Sequence, residues 1–383
     1  VGSEMCIRDR TYCFSESIYS THLVIEIIFQ GNIKTLAYTR SIRYLCCKTS
    51  SLNRFGMARI AVFLILIGLF GACCSDKKDA AESISLTRYD RDLTAFIQTN
   101  DTNAEKNFLD RYSIFHPLYV SEILHLSPND SSEKDALIQR LSQADMQILY
   151  RAADSLFLDT SEIEKELSEA FSRYKKLMPD DTLPAQLYCH ISGLQQQIVN
   201  IDTILSISID HYLGGSFVPY HSIFNPYQLQ RKEKVYIVPD VLRVILYTRH
   251  PIPEKADVTL LGEMIYEGKI ICCLQQILPD VVPEFLFGYT KEQLQWCQEN
   301  EPIMWNTLLK QKDLYSTDRF LISKYLSPAP FTAPFTQQSP GQAGRYIGWR
   351  IVSEYMRQTG NELPDLWKEN NEMNILKTAK YKG

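Results

Sequence analysis

The sequence predicts a mainly helical α+β fold, a helical domain carrying one small β-sheet. Three observations lead there. Apolar residues recur at three-to-four spacing along most segments between residues 85 and 358, β-branched and aromatic runs are confined to 184–209, and proline-rich breaks separate the segments.

The helical pattern starts only near residue 85, and what precedes it reads as targeting sequence. The opening VGSEMCIRDR resembles translated adapter sequence, and residues 1–56 are set aside as a translation artefact outside the fold. From Met57 the order is that of a lipoprotein signal peptide over 57–72. Arg59 supplies the positive charge, residues 60–70 the apolar stretch, and Gly71 and Ala72 the small residues before Cys73. About 15 apolar residues fall short of the roughly 18–20 that span a bilayer, which favours cleavage over a membrane span. Cys73 is the expected lipidation site, with Cys74 poorly placed because Cys73 precedes it. Several acyl chains on one cysteine anchor stably, each buried CH₂ contributing about 0.8 kcal/mol. Residues 73–84 then form a polar tether, and 85–383 a single domain.

Within that domain, Leu86, Tyr89, Leu93 and Phe96 predict a short amphipathic helix over 85–99. Residues 107–126 suit two short helices around His116-Pro117. A long helix is expected from Ser131 to Phe157, with Leu137, Leu141, Met146, Leu149 and Ala153 on one face. Ser161 and Glu164 have capping-box spacing for a helix to Met178. Residues 184–192 and 198–209 read as strands, with a turn at Asn200 and Asp202, and 214–227 as a loop. Pro239 suits the first turn of a helix over 240–248. Residues 258–278 form the most apolar helix. Helices follow over 290–310 and 343–358, the latter ended by Gly360, with a proline-rich loop over 327–341 between them.

Charge narrows the partners. Positions 1–72 hold 8 of the 40 basic and 4 of the 45 acidic residues, so the remainder carries a net charge of −9. An acidic chain without basic runs argues against nucleic acid. Cys189, Cys272, Cys273 and Cys297 lack CxxC spacing and are expected to be buried free thiols.

Hydrolytic chemistry needs a metal or a nucleophile, and the sequence offers neither pattern: no H-E-x-x-H, no histidine pair at helical i, i+4 spacing, no G-x-S-x-G, and no phosphate-binding glycine loop. Gly341-Gln342-Ala343-Gly344 opens a helix without a preceding strand. Two segments are less ordinary. Glu263 and Glu267 lie four apart on an apolar helix, with Lys269 beyond, and buried carboxylates need a partner or a metal. An edge in solvent explains them equally well. Gly348 sits inside a helix, where glycine costs about 1 kcal/mol relative to alanine, so it points to close helix packing.

Those segments also carry a resemblance. Met264-Ile265-Tyr266-Glu267-Gly268-Lys269, Gly288-Tyr289-Thr290-Lys291-Glu292, Trp296, Asn300-Glu301, Trp305, Asp313-Leu314-Tyr315, and Ser339-Pro340-Gly341 through Tyr355 follow one another as in the gliding motility lipoprotein GldB family. Ile209-Asp210-His211-Tyr212-Leu213-Gly214 and Lys380-Tyr381-Lys382 extend the likeness over essentially the whole chain after Cys73. The resemblance implies an envelope lipoprotein, on the inner or outer membrane, linked to gliding and to type IX secretion machinery. That family is distantly similar to predicted zinc-dependent proteases with an HExxH helix, an E-G-x-A helix and a G-Y-x-x-G helix. Here Glu267-Gly268 matches the second and Gly344-Arg345-Tyr346-Ile347-Gly348 the third, while the first falls on residues 239–247, which hold no histidine. The resemblance therefore implies a zincin-like domain with a degenerate metal site, no cofactor, and a vestigial cleft of Asp240, Arg243, Glu263, Glu267 and Lys269, in which Arg243 pairs with Glu267. The expected partners are the membrane, through the lipid, and other envelope proteins. Two alternatives stay open: a hydrolase built around Glu263, Glu267 and nearby tyrosines, and a lipoprotein that binds a ligand in the old cleft.

Overall fold

Four short strands form the only sheet among the described residues of the computed structural model, which are 83–126, 132–201, 203–252 and 258–383. The expected leader, cleavage site and lipidation residue Cys73 lie outside them. Strands β1 (Leu86–Arg88), β2 (Gln186–His190), β3 (Ile198–Ile201) and β4 (Ile204–Ser208) run in the order β1-β2-β4-β3. β1, β2 and β4 are parallel, with Leu86 opposite Leu187 and Leu187 opposite Leu205, and β3 closes an antiparallel hairpin onto β4.

β1 corrects the expected helix over 85–99, of which residues 86–88 are a strand. The Leu86 N–H donates to the Glu164 carboxylate at 2.8 Å, and the helix α1 (Tyr89–Gln98) starts only after Arg88. The strand partner lies about a hundred residues along the chain, so no local pattern reveals it. The expected capping box is also absent: the helix is capped at Thr160, one residue before Ser161, and the Glu164 carboxylate reaches β1 and the Thr160 hydroxyl.

The helices α2 (Thr102–Arg111) and α3 (Phe115–Leu118) follow, and the chain continues from Tyr119 to Ile123 as a π-helical turn. Tyr112, Phe115 and Tyr119 each meet Tyr89 edge to face with ring centroids about 5 Å apart, and Tyr112 and Phe115 pack against Tyr188 of β2. The long helix expected to end at Phe157 is broken into α4 (Glu133–Leu141) and α5 (Ala144–Leu156). Gln143 is extended there, and Gln147 caps the freed Leu141 carbonyl at 2.7 Å. α6 (Ser161–Leu177) completes the N-terminal helices.

After the sheet come α7 (Pro226–Leu229), α8 (Ile237–Arg249), α9 (Leu260–Ile277), α10 (Pro283–Phe287) and α11 (Lys291–Gln311). α12 (Arg319–Leu326), α13 (Gly344–Thr359), α14 (Leu363–Lys368) and α15 (Glu372–Ala379) end the chain. α8 packs between β3 and α9, and α9 crosses α13 along the most extensive helix pair of the fold. The crossing depends on two glycines. A Cβ on Gly348 would stand 1.7 Å from the Met264 carbonyl oxygen, and one on Gly268 would stand 2.3 Å from the Gly348 carbonyl. Backbone therefore meets backbone, which is the close packing that a mid-helix glycine implies. Among the described residues no helix is long and apolar enough to cross a membrane. Cys189, Cys272, Cys273 and Cys297 are buried free thiols, as expected.

Candidate functional site

The α9–α13 crossing fixes the position of Glu267, the residue before Gly268. Arg345 lies one helical turn before Gly348 on α13, so the contact of the two glycines brings the carboxylate and the guanidinium together. Glu267 Oε2 is 3.1 Å from Arg345 Nε and 3.8 Å from Arg243 Nη1 on α8. One helical turn beyond Arg243, the Tyr247 hydroxyl donates to Glu267 Oε1 at 2.8 Å. Arg243 is 2 % exposed, and its second terminal nitrogen donates to the Leu286 carbonyl at 2.5 Å.

Electrostatics tie the group into one unit. Burial opposes the charge of Arg345, but Glu267 and then Tyr247 raise its pKa above the ordinary guanidinium value. Burial, and next the Glu267 carboxylate, push the Tyr247 phenol up to about 12, so it remains a donor at neutral pH. Carboxylate oxygen Oε1 thus serves a hydroxyl, and Oε2 faces two cations.

Asp240 stands one turn before Arg243 and extends the arrangement toward the sheet. Its Oδ1 accepts from Arg231 at 2.7 Å, and its Oδ2 accepts from Gln197 at 2.9 Å and from the Tyr212 hydroxyl at 3.1 Å. Tyr212 comes from the Ile209–Gly214 stretch that the resemblance singled out. A buried carboxylate with three donors is fully compensated.

Of the five residues expected in the cleft, Asp240, Arg243 and Glu267 share this arrangement. Glu263 and Lys269 do not. Glu263 pairs with Arg319 at the start of α12; burial raises its pKa, and Arg319 opposes the rise. Lys269 donates to the Glu369 carbonyl at 2.6 Å, with its ammonium 5.4 Å from the centre of the Trp367 ring, and burial lowers its pKa to about 8. Glu263 to Glu267 is one helical turn, yet the crossing of α13 separates their partners. The expected Arg243–Glu267 pair is present but secondary, because Arg345 is the nearer cation. Sequence reasoning placed Arg345 in a motif and omitted it from the cleft; Arg231 and Tyr247 it missed altogether. Among the described residues no group of three or more His, Cys, Asp or Glu side chains is placed to hold a metal ion.

A second hub joins other parts of the same resemblance. Glu301 on α11 accepts from the Tyr346 and Tyr381 hydroxyls at 2.8 Å each and from Arg350 Nε at 2.9 Å. Tyr381 also packs edge-on to Trp305 at 5.0 Å. The C-terminal residues are therefore fastened to the α11–α13 pair.

No curated protein and no solved structure matches the chain. The family described as gliding motility protein GldB matches residues 74–383. That match takes in the sheet, the α8–α9–α13 arrangement and the Glu301 hub, and the chain belongs to the GldB family of gliding motility proteins.

Proposed function

We propose that this gliding-motility family protein is a cell-envelope lipoprotein, lipidated at Cys73 and acting as an accessory or interaction component of gliding or type IX secretion-linked machinery without catalysis of its own. The designation of the family as a lipoprotein supports the anchor, as does the order of charge, apolar stretch, small residues and cysteine before Ser75. One observation supports the non-catalytic reading: Glu267, which the resemblance matches to a zinc ligand of predicted proteases, faces two guanidinia. A zinc site needs neutral or anionic donors, and Arg243 and Arg345 supply the opposite charge to the same space. The zincin-like core thereby serves as a scaffold whose old centre is closed by an ion pair, and its surfaces are what partners read.

Expression of the chain from Met57 onward in a gliding host tests this reading. Fatty-acid labelling should mark the protein, Cys73→Ser should abolish the label and release the chain from the membrane fraction, and the lipidated form should co-purify with envelope proteins. An unlabelled wild-type chain, or peptidase activity that disappears in Glu267→Gln, would overturn it.

A further inference from the structure

The loop that leaves β4 differs in charge from the rest of this acidic chain. No Asp or Glu occurs from His211 to Lys232, although the sequence holds 45 in 383 residues. Within the loop, a 3-10 turn over Val218–Ser222 leaves Val218 79 % and Ile223 57 % exposed, with Phe217 and Phe224 half-buried beside them. At about 2 Å per residue, the turn puts Val218 and Ile223 within about 10 Å of each other.

A buried base holds these residues in place. Tyr220 is fully buried; its hydroxyl donates to the Asp210 carbonyl and accepts the Leu213 N–H at 3.0 Å. Phe217 and Phe224 pack edge-on to the Tyr220 ring at 5.0 and 5.3 Å. A Cβ on Gly215 would stand 2.7 Å from the Leu229 carbonyl oxygen, so the two limbs of the loop touch backbone to backbone. Val218 and Ile223 are thus presented to solvent from a fixed platform, and an exposed apolar patch so supported marks a contact surface.

The platform lies on the side of the domain where the chain enters. The Gly215 N–H donates to Glu233 at 2.7 Å, Lys234 Nζ donates to the Leu156 carbonyl at 2.5 Å, and Arg88 at the end of β1 donates to the Phe157 carbonyl. Leu158 (74 % exposed) and Val235 (43 %) add apolar surface along this path. β1 is about 10 Å long, and the ten residues 73–82 that precede the fold span at most about 35 Å. Lipid on Cys73 therefore holds this side of the domain close to the bilayer. Anionic lipid repels a domain whose net charge after position 72 is −9, and the acid-free apolar loop is the face that meets such a surface at least cost. We propose that the loop from Gly214 to Lys232 rests on the bilayer into which the Cys73 lipid inserts, with Val218 and Ile223 buried at the headgroup level.

The test uses the lipidated chain, expressed from Met57 with Cys74→Ser and added to preformed vesicles of phosphatidylethanolamine and phosphatidylglycerol. An environment-sensitive fluorophore on Val218→Cys should shift to the blue and lose most of its quenching by aqueous iodide when vesicles are added. The same label on Met373→Cys, an exposed site on α15, should keep its quenching. The thiols of Cys189, Cys272, Cys273 and Cys297 are buried and do not compete for the label. Ile223→Glu should restore quenching at position 218 and leave Tm unchanged, because its side chain is exposed. Equal quenching at the two labelled sites would overturn the proposal. So would shielding of position 218 in native membranes but not in pure lipid, which would give the face to a protein neighbour. The proposal rests on the anchored reading, and fatty-acid labelling of the same sample separates the two. An unlabelled chain defeats both; a labelled chain with position 218 open to iodide defeats this one alone.

Discussion

Replacing Glu267 with Gln keeps the shape of the side chain and its bond to Tyr247 but removes the only charge between Arg243 and Arg345. At separations of 3.1 and 3.8 Å, and an effective dielectric near 20, the two attractions are about 5 and about 4 kcal/mol before desolvation. Desolvation offsets much of this in the intact protein. In the variant it is not offset, because two buried cations remain. Glu267→Gln should therefore cost about 3–5 kcal/mol, which for a chain of this size lowers Tm by about 6–10 °C. Arg345→Met should cost less, about 1–3 kcal/mol, since Arg243 still neutralises the carboxylate, and Arg243→Met should behave similarly. The double variant Glu267→Gln/Arg345→Met should be more stable than the sum of the single losses predicts, by about 1–3 kcal/mol. Urea unfolding at pH 7, followed by far-ultraviolet circular dichroism, measures all four chains. Strictly additive losses would refute a coupled unit and reduce the two contacts to independent ones.

Three further outcomes follow from the fold. Gly348→Ala, which drives a methyl into the Met264 carbonyl, should cost about 3 kcal/mol or more in urea unfolding, whereas Gly360→Ala, with φ +67° and open space around it, should cost only about 1 kcal/mol. Lys269 has a folded pKa of about 8 against 10.5 for the free side chain, so between those values the unfolded chain binds more protons and stability rises with pH; Lys269→Met should flatten that rise in melting curves recorded from pH 7 to 10.5, and an unchanged slope would show that another group causes it. Tyr381→Phe removes a hydrogen bond to the buried Glu301 and should cost about 1–2 kcal/mol, with faster proteolysis of the C-terminal residues than in the unaltered chain.

The parts of this fold that were legible in the sequence are those held by local chemistry. Thr290 announced the start of α11, Gly360 the end of α13, and the β-branched run near 200 the hairpin. The break between α4 and α5 was also written there: the apolar stripe jumps five residues from Leu141 to Met146, a step that a continuous helix of 3.6 residues per turn does not keep on one face. β1 was hidden because its three residues gain strand identity only from β2. The same holds for Glu164: the cap is Thr160, one residue before Ser161, and the Glu164 carboxylate accepts the Leu86 N–H instead. At the candidate site, the reading found Asp240, Arg243 and Glu267, which lie on two helices adjacent in sequence. It left out Arg345, which becomes a neighbour of Glu267 only when Gly268 and Gly348 touch. Had those two glycines been paired with each other, the residue one turn before Gly348 would have been placed at the carboxylate. Glu263 and Lys269 were included for their nearness in sequence, and each finds a partner elsewhere, Arg319 on α12 and the Glu369 carbonyl after α14.

The claim that a pair of guanidinia, and not a metal, holds Glu267 is tested most directly by the zinc content of the full chain purified without chelator. The account predicts far less than stoichiometric zinc after incubation with the ion and buffer exchange, and a melting temperature that chelator leaves unchanged. Stoichiometric zinc that is lost in Glu267→Gln would contradict it.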